Sequence, residues 1–223
     1  HAVTVLNLIL HYEITRDKSL LAPIERALDY LQDAFHYKDG MTAFLNDRGT
    51  LNVGGNGISL LAFVSYTEIT GSTKYVHLIR SAANGIIYMQ KESGGFIHTL
   101  YKSNYQVHKD YITVFYDGEA MYGLLRAYGL LKDKRFLAAA EKAGDYFIEN
   151  NYETLNSHWI AYGFNEINLH KVQICTKTIN APSKRVIEKC GFTYEGTLRD
   201  YFFMNGEYVG RLYFSILRSE YEA

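Results

Sequence analysis

Hydrophobic positions recur at helical spacing in three similar segments, residues 11–32, 65–90 and 127–149. In each segment the end of one helix, a short polar turn and a second helix follow one another, which predicts an αα-hairpin. The apolar stripes of the second helices consist of Leu21, Ile24, Leu28 and Leu31 in the first segment and of Phe136, Ala140, Ala143 and Phe147 in the third. The second helices also carry equally spaced tyrosines, which predict stacked repeats of one unit: Tyr30, Tyr88 and Tyr146.

Two long connections separate the predicted hairpins, at residues 36–57 and 91–119. They are rich in Gly and Asp and contain His36, His98 and His108. Loops of this length in a compact domain usually have a function. We therefore expect binding residues, and a short β-hairpin, in each connection.

The last quarter of the chain changes to a period of two. Residues 171–178 alternate apolar or β-branched with polar side chains, which predicts a strand. A helix is predicted to begin after Asn180 and to end at Gly191 in a left-handed conformation. Asn205-Gly206 predicts a type I′ turn between two apolar strands, so the whole segment predicts a βαββ module. The side chains predicted to pack on the sheet are Ser183, Val186, Ile187, Cys190 and Phe192.

Composition and charge narrow the class of protein. The chain has 223 residues and a formal net charge of −1, so no overall field attracts nucleic acid or an anionic membrane. We expect neither a membrane span nor a signal peptide, because the longest apolar run near the start is short. The two cysteines, Cys175 and Cys190, favour reduced thiols in a cytoplasmic protein. The 20 tyrosines beside only two prolines suit a ring-lined carbohydrate cleft and equally an ordinary helical core.

The helical repeat resembles a known fold family. The stretches "NVGGNGISLLAF" and "FYDGEAMYGLLRAYGLLKDKRFLAAAEKAGDYFI" look like parts of the (α/α) toroid of six-hairpin glycosidases and sugar epimerases, over residues 3–165. The resemblance implies a sugar cleft with Asp117 and Glu119 as acid/base carboxylates. It also implies a wall of substrate-binding side chains: His98, Tyr116, His158 and Trp159. Two carboxylates at a helix start equally fit plain capping and dipole complementation. The chain holds three hairpins and the start of a fourth, so we predict a partial toroid.

Residues 162–222 resemble the C-terminal half of the GNAT acetyltransferases, in particular the branch that acetylates ribosomal-protein N-termini and similar amines. The match includes "INAPSKRVIEKCGF" and "FFMNGEYVGRLYF". The resemblance implies that Asn180 contacts the pantetheine arm of acetyl-CoA and that Ser183 protonates the leaving thiolate, because Ile187 stands where many members place a tyrosine acid. Ser183 equally fits the helix cap. Arg185 fits either a CoA phosphate contact or a solvated position.

One element of that family is missing from the sequence. The family holds the CoA pyrophosphate on a glycine-containing loop, (R/Q)xxGxG/A, at a helix N-terminus. The corresponding stretch here, "ENNYETLNSHW", contains no glycine. The four N-terminal strands of the family are also replaced by the helical repeat.

These observations predict a mainly α protein of two parts: an αα-hairpin repeat, or partial (α/α) toroid, at residues 1–160 and a small α+β GNAT-like half-domain at residues 161–223. The first predicted function is an acetyl-CoA-dependent N-acyltransferase, impaired by the missing loop. The alternatives are a carbohydrate-binding or carbohydrate-processing toroid fragment, and a non-catalytic hybrid or scaffold. A small-molecule or sugar ligand and a homo-oligomer are expected partners, and no metal site is expected.

Overall fold

The computed structural model describes residues 2–108, 113–152, 157–166, 171–217 and 220. The chain forms two compact units, the helical unit His1–Gly163 and the C-terminal unit Phe164–Ala223. Its secondary structure is mainly helical with two small antiparallel sheets, which agrees with the prediction of a mainly α protein that has a small α+β part. No helix in the described ranges combines the length and the apolar character needed to cross a membrane.

The helices are joined in pairs by short turns, as the sequence periodicity predicts, and the two long connections separate the pairs. Their bounds are Ala2–Thr15 (α1), Leu21–Asp33 (α2), Val53–Thr70 (α3), Val76–Tyr88 (α4), Tyr116–Leu131 (α5), Lys134–Glu149 (α6) and His158–Glu166 (α7). The three predicted hairpins are therefore confirmed as α1–α2, α3–α4 and α5–α6. The apolar stripes predicted for α2 and α6 are buried, apart from Leu21 at the start of α2, which is half-buried.

Helix α3 is the centre of the helical unit, because α1 packs on one side of it and α5 on another. Nearly all of its side chains are buried, so it shows no amphipathic pattern of its own. Gly57 allows the close approach of α5, since a Cβ at this position would overlap the backbone carbonyl of Glu119. The first turn of α5 is thereby held against the start of α3.

Tyrosine hydroxyls join the first hairpin to the second. Tyr75 is fully buried and donates a hydrogen bond to Asp29 of α2 at 2.8 Å. Tyr66 of α3 donates to Glu25 of α2 at 2.6 Å. Each ring therefore fills the core while its hydroxyl keeps a polar partner.

Strands from the two long connections pair in one sheet. Strands Phe35–Asp39 (β1), Thr42–Asp47 (β2) and Thr50–Asn52 (β3) come from the first connection, and Thr99–Tyr101 (β4) comes from the second. All neighbours are antiparallel in the order β1-β2-β3-β4. The β-hairpin predicted for the first connection is confirmed as β1–β2, and in the second connection an antiparallel bridge joins Leu100 to Val107. The sequence did not predict that β4 pairs with β3 across a long separation in sequence. This pairing places residues of both connections beside the start of α5.

The side chain of Asn56 joins this sheet to the helices through hydrogen bonds. This side chain is fully buried in α3. The amide nitrogen donates to the carbonyl oxygens of Ala43 in β2 and Ala82 in α4, both at 2.9 Å. The amide oxygen accepts from the backbone N–H of Leu45 at 2.6 Å. One side chain thus joins two helices and a strand.

The C-terminal unit has the predicted βαββ order, with strand Lys171–Lys177 (β5), helix Ala181–Lys189 (α8) and strands Thr193–Met204 (β6) and Glu207–Leu217 (β7). The sheet is antiparallel in the order β5-β7-β6. Gly191 has a φ of 84°, which confirms the left-handed helix stop. Asn205 and Gly206 both have positive φ, which confirms the tight turn between β6 and β7.

The buried face of α8 is narrower than the sequence predicts. Ile187 packs with Phe192, Leu212 and Phe214. By contrast, 61% of Val186 is exposed, Cys190 is also exposed and Ser183 is half-buried. The prediction that Val186 and Cys190 pack on the sheet is therefore wrong, because a nine-residue helix above a three-stranded sheet buries one row of side chains instead of a wide stripe.

Candidate functional sites

The helical unit holds a buried histidine–aspartate pair. His98 precedes β4, and Asp117 lies in the first turn of α5, where only 3% of the residue is exposed. The backbone N–H of Thr113 donates to His98 Nδ1 at 2.9 Å, so Nδ1 carries no proton. The proton is then on Nε2, which donates to Asp117 Oδ2 at 2.9 Å. The backbone therefore fixes the tautomer of His98 and directs its N–H at the carboxylate.

Tyr152 approaches the same carboxylate from the end of α6. Its hydroxyl lies 3.4 Å from Asp117 Oδ2. Burial raises the pKa of the Tyr152 phenol, and the neighbouring Asp117 carboxylate raises it further. Tyr152 therefore keeps its proton and can share it with Asp117.

Glu119 is a largely buried carboxyl group in the first turn of α5. Its side chain and the ring of Tyr116 both pack against Gly54, near the start of α3. Burial raises the pKa of Glu119 to about 7. Among the described residues no ion pair or hydrogen bond offsets this burial. Glu119 can therefore both give and take a proton near neutral pH.

Neither carboxylate caps helix α5. The residue before the helix is Phe115, which makes no side-chain capping bond. Asp117 binds His98, and Glu119 packs on α3. Neither carboxylate therefore makes a capping hydrogen bond, but both lie in the first turn of α5, where a negative charge complements the helix dipole as the sequence predicts.

A polar pocket of about 140 Å³ lies beside this group. The ring of Tyr116 lines the pocket and lies 5.8 Å from the ring of His98. The other described lining residues come from the sheet and the segment after β4: Asp47, Thr50, Asn52, Thr99 and His108. They offer hydroxyl, amide, imidazole and carboxylate groups, and none of them is Lys or Arg. The described lining therefore offers hydrogen-bond donors and acceptors and one carboxylate, that of Asp47.

The structure brings four of the six residues predicted for the helical site together, and it places the other two, His158 and Trp159, against the first turn of α5 at Phe115 and Gly118. His98, Tyr116, Asp117 and Glu119 are neighbours. His158 and Trp159 belong to an aromatic group at the start of α7, where their rings pack on each other at 4.6 Å. Neither belongs to the described lining of the pocket.

Several residues of this site are not predicted by the sequence. Thr113 acts through its backbone, which no residue pattern reveals. Asn52, Thr50 and Thr99 reach the pocket because β3 pairs with β4. Their polar side chains within the long connections hinted at a binding role in the sequence. Only the pairing of β3 with β4 shows that the three residues line one pocket. Among the described residues no group of three or more His, Cys, Asp or Glu side chains is arranged to hold a metal ion.

In the C-terminal unit, Asn180 lies between β5 and α8. Its side-chain oxygen accepts a hydrogen bond from the backbone N–H of Ser183 at 3.2 Å, so Asn180 is the cap of α8. The cap uses the amide oxygen and leaves the amide nitrogen, with two N–H groups, to donate elsewhere. Asn180 and Arg185 are exposed and Ser183 is half-buried, so ligand groups can reach all three.

The stretch that stands in place of the family's phosphate loop, residues 149–159, is only partly described, because residues 153–156 lie outside the described residues. Its sequence still contains no glycine. The prediction of a missing glycine loop therefore rests on the sequence.

Comparisons with known proteins find relatives of the C-terminal region. No family model matches the chain. A Bacillus subtilis protein named "Putative ribosomal N-acetyltransferase" is 40% identical over 63 residues, which are 28% of this chain and 34% of that protein. The spermidine N(1)-acetyltransferase of Vibrio cholerae is 40% identical over 70 residues, which are 30% of this chain and 39% of that protein. A crystal structure of a "Probable acetyltransferase" is 38% identical, covers 28% of this chain and 35% of that one, and has a TM-score of 0.25.

The C-terminal region resembles the GNAT N-acetyltransferases. The chain spans between 33% and 48% of the length of the curated relatives it matches. These comparisons give no support to the toroid resemblance of the helical unit. That resemblance stays a prediction from the sequence.

Proposed function

We propose that the C-terminal unit is an acetyl-CoA-dependent N-acyltransferase module whose cofactor affinity is weakened. The observation that carries this proposal is the similarity of the C-terminal region to N-acetyltransferases. The position of Asn180 and Ser183 at the junction of β5 and α8 supports it. The absence of glycine from residues 149–159 supports the weakened affinity, because backbone N–H groups that cradle a pyrophosphate need close approach of the chain.

Acetyl transfer from acetyl-CoA to an amine involves bond formation, bond breakage and proton transfer. An amine nitrogen forms a bond to the thioester carbonyl carbon and loses a proton to water, the C–S bond breaks, and the CoA sulfur leaves as a thiolate that takes up a proton. In this proposal the amide nitrogen of Asn180 donates to a carbonyl of the pantetheine arm. The Ser183 hydroxyl gives the proton to the thiolate. Arg185 is exposed and stays solvated.

Replacement of Ser183 by alanine tests the proton donor. We expect kcat for acetyl transfer to fall by about 100-fold or more, because a positioned general acid contributes on that scale. The KM for acetyl-CoA should stay within about threefold, since the interaction is made in the transition state. The assay is mass-spectrometric detection of the acetylated acceptor, with spermidine and a peptide that has a free N-terminus as acceptors. Thiol dyes are unsuitable because Cys175 and Cys190 are free thiols.

Ser183→Thr is the matched variant, because it keeps the hydroxyl and the backbone N–H that binds Asn180. It should retain most of the activity. Equal rates for the alanine variant and the unaltered protein would remove Ser183 from the mechanism. Absence of any transfer in the unaltered protein, at acetyl-CoA concentrations that saturate a millimolar site, would refute the proposed activity.

A second candidate function belongs to the helical unit, which we propose binds a neutral carbohydrate. The pocket beside Tyr116 favours this function, because its described lining is hydroxyl, amide, imidazole and carboxylate without a cation. Glu119, with a pKa of about 7, could act as the proton donor, and Asp117 with His98 as a hydrogen-bonding pair for a sugar hydroxyl.

Binding of a panel of neutral mono- and oligosaccharides tests the second candidate. We expect Asp117→Asn to weaken binding by about 10-fold or more, since a hydrogen bond to a charged group is lost. The variant keeps the shape of the side chain and an oxygen that accepts from His98. Asp145→Asn, at an exposed position of α6, is the control for the loss of one negative charge. If no saccharide of the panel binds, or if the two variants bind equally well, the carbohydrate function is refuted.

A further inference from the structure

Two cations face each other across the sheet of the C-terminal unit. Lys177 of β5 and Arg211 of β7 are direct cross-strand partners in the antiparallel register. Directly opposite residues project from the same face of a sheet, and like charges in this arrangement destabilise it. Both side chains are half-buried, so water screens the repulsion only in part.

Aromatic rings enclose the guanidinium of Arg211. Its central carbon lies 4.9 Å from the ring centre of Tyr201, 5.3 Å from that of Tyr213 and 5.9 Å from that of Phe202. The Lys177 ammonium lies 5.4 Å from the centre of the same Phe202 ring. The two cations therefore share one ring, and they cannot move apart without losing that contact.

The hydrogen bonds of Arg211 leave most of its donors available. Nη1 donates to the hydroxyl of Tyr201 at 3.0 Å, and Nη2 donates to Cys175 Sγ at 2.6 Å. A guanidinium has five N–H groups, so three remain. Both partners are neutral or weak acceptors, while the fork of an arginine matches the oxygens of a carboxylate or phosphate.

No carboxylate in the described part of the unit neutralises the two cations. Glu188 pairs with Lys184 on α8, and Glu195 is hydrogen-bonded to Ser215. No ion pair joins an Asp or Glu of the described residues to Lys177 or Arg211. Ser215 lies on the same face of β7 as Arg211 but four residues along the strand, so the Glu195 carboxylate is held away from the two cations. Lys177 and Arg211 are a strand spacing apart, and no ion pair to a described carboxylate neutralises them.

We propose that Lys177 and Arg211 bind a phosphate group of a small ligand. A phosphate that carries up to two negative charges balances the two cations, and its tetrahedral oxygens reach the free guanidinium N–H groups and the ammonium together. The hydroxyl of Tyr201 accepts from Arg211 and can donate its own hydrogen to a third oxygen. Bound phosphate thus turns a repulsive cross-strand pair into an attractive triad. This site does not depend on Asn180 or Ser183.

Alkylation of cysteine gives a local test. Cys175 is half-buried and touches Arg211, whereas Cys190 is exposed at the end of α8 and serves as an internal control. We expect saturating inorganic phosphate, at ionic strength matched with chloride, to slow the reaction of Cys175 with iodoacetamide by about threefold or more while Cys190 reacts at an unchanged rate. Mass spectrometry resolves the two sites in one sample.

Variants assign the effect to the two cations. Lys177→Gln and Arg211→Gln should each abolish the protection of Cys175 by phosphate, and Lys189→Gln, an exposed change on α8, should leave it intact. In phosphate-free buffer Lys177→Gln should raise the melting temperature, because the repulsion is relieved. At a phosphate concentration ten times its Kd, the melting temperature of the unaltered protein should rise by about 2–4 °C.

The source of the phosphate group is distinguished by a second probe. Protection by CoA at lower concentration than inorganic phosphate, lost in Lys177→Gln, would assign the site to a phosphate of a larger ligand. Protection by inorganic phosphate at the same or lower concentration would assign it to the free ion. Equal Cys175 reactivity with and without both probes would overturn the proposal, as would phosphate protection that survives in both Gln variants.

Discussion

Replacement of Asn56 by alanine is expected to lower the free energy of unfolding by about 3–5 kcal/mol. The substitution removes three hydrogen bonds in a fully buried position and leaves the backbone groups of Ala43, Leu45 and Ala82 short of a partner. Each backbone group left without a partner keeps its desolvation cost, which is why the expected loss exceeds that of an ordinary hydrogen bond. Urea denaturation followed by circular dichroism measures the change.

Asn84 provides the matched control. Asn84 is half-buried on α4 and donates one solvent-accessible hydrogen bond, to the carbonyl of Met41 at 2.7 Å. Asn84→Ala gains the same helix propensity as Asn56→Ala, and water replaces its single partner, so its cost should stay below about 1 kcal/mol. Similar losses for the two variants would show that Asn56 does not fasten the sheet to α3 and α4.

Replacement of Glu119 by glutamine is expected to stabilise the protein in a pH-dependent way. Burial raises the pKa of Glu119 from its ordinary value of 4.5 to about 7. The folded state then binds the proton more tightly than the unfolded state. Glu119 therefore lowers the free energy of unfolding least below about pH 4.5, where it is protonated in both states, and the protein loses stability as the pH rises through about 7. After allowance for partial exposure, Glu119→Gln should be more stable by about 2–3 kcal/mol at pH 8 and by under about 1 kcal/mol at pH 5.

Urea denaturation of both proteins at pH 5 and pH 8 measures this difference. Glu141→Gln, at an exposed position of α6, controls for the removal of one acidic side chain. The same difference between Glu119→Gln and the unaltered protein at the two pH values would mean that Glu119 titrates alike in the folded and unfolded states. The burial argument for its proton-donor role would then fail.

Local sequence patterns predicted the helices, strands and turns, whereas the positions of the residues in the sites depend on the pairing of distant segments. The stripes of α2 and α6, the glycine stop at Gly191 and the Asn205-Gly206 turn follow from residues close together in the sequence, so periodicity and turn chemistry identify them. The pairing of β3 with β4 joins two connections that a hairpin separates, and no local pattern specifies it.

The candidate sites divide in the same way. Asn180, Ser183, Asp117 and Glu119 were predicted from motifs, since each lies within a recognisable stretch. The backbone N–H of Thr113 determines which ring nitrogen of His98 carries the proton. Lys177 lies opposite Arg211 because of the register between β5 and β7. Neither has a signature in residue type or spacing. Exposure of Val186 likewise depends on how many strands lie under α8.

For the C-terminal unit we propose that Asn180 holds acetyl-CoA without help from a glycine loop. Asn180→Asp keeps an oxygen that caps α8 and removes the amide N–H donors. Asn180→Ser also keeps a capping oxygen and adds no charge. Comparison of the two separates the loss of the donor from electrostatic repulsion of the cofactor.

Calorimetric titration of CoA into the unaltered protein and these two variants tests that claim most directly. We expect a Kd of about 0.1–1 mM for the unaltered protein, because the sequence of residues 149–159 has no glycine loop of the kind that holds the pyrophosphate in the family. Both variants should bind about 10-fold more weakly at nearly unchanged melting temperature. A sub-micromolar Kd, or equal affinities in all three proteins, would contradict the account.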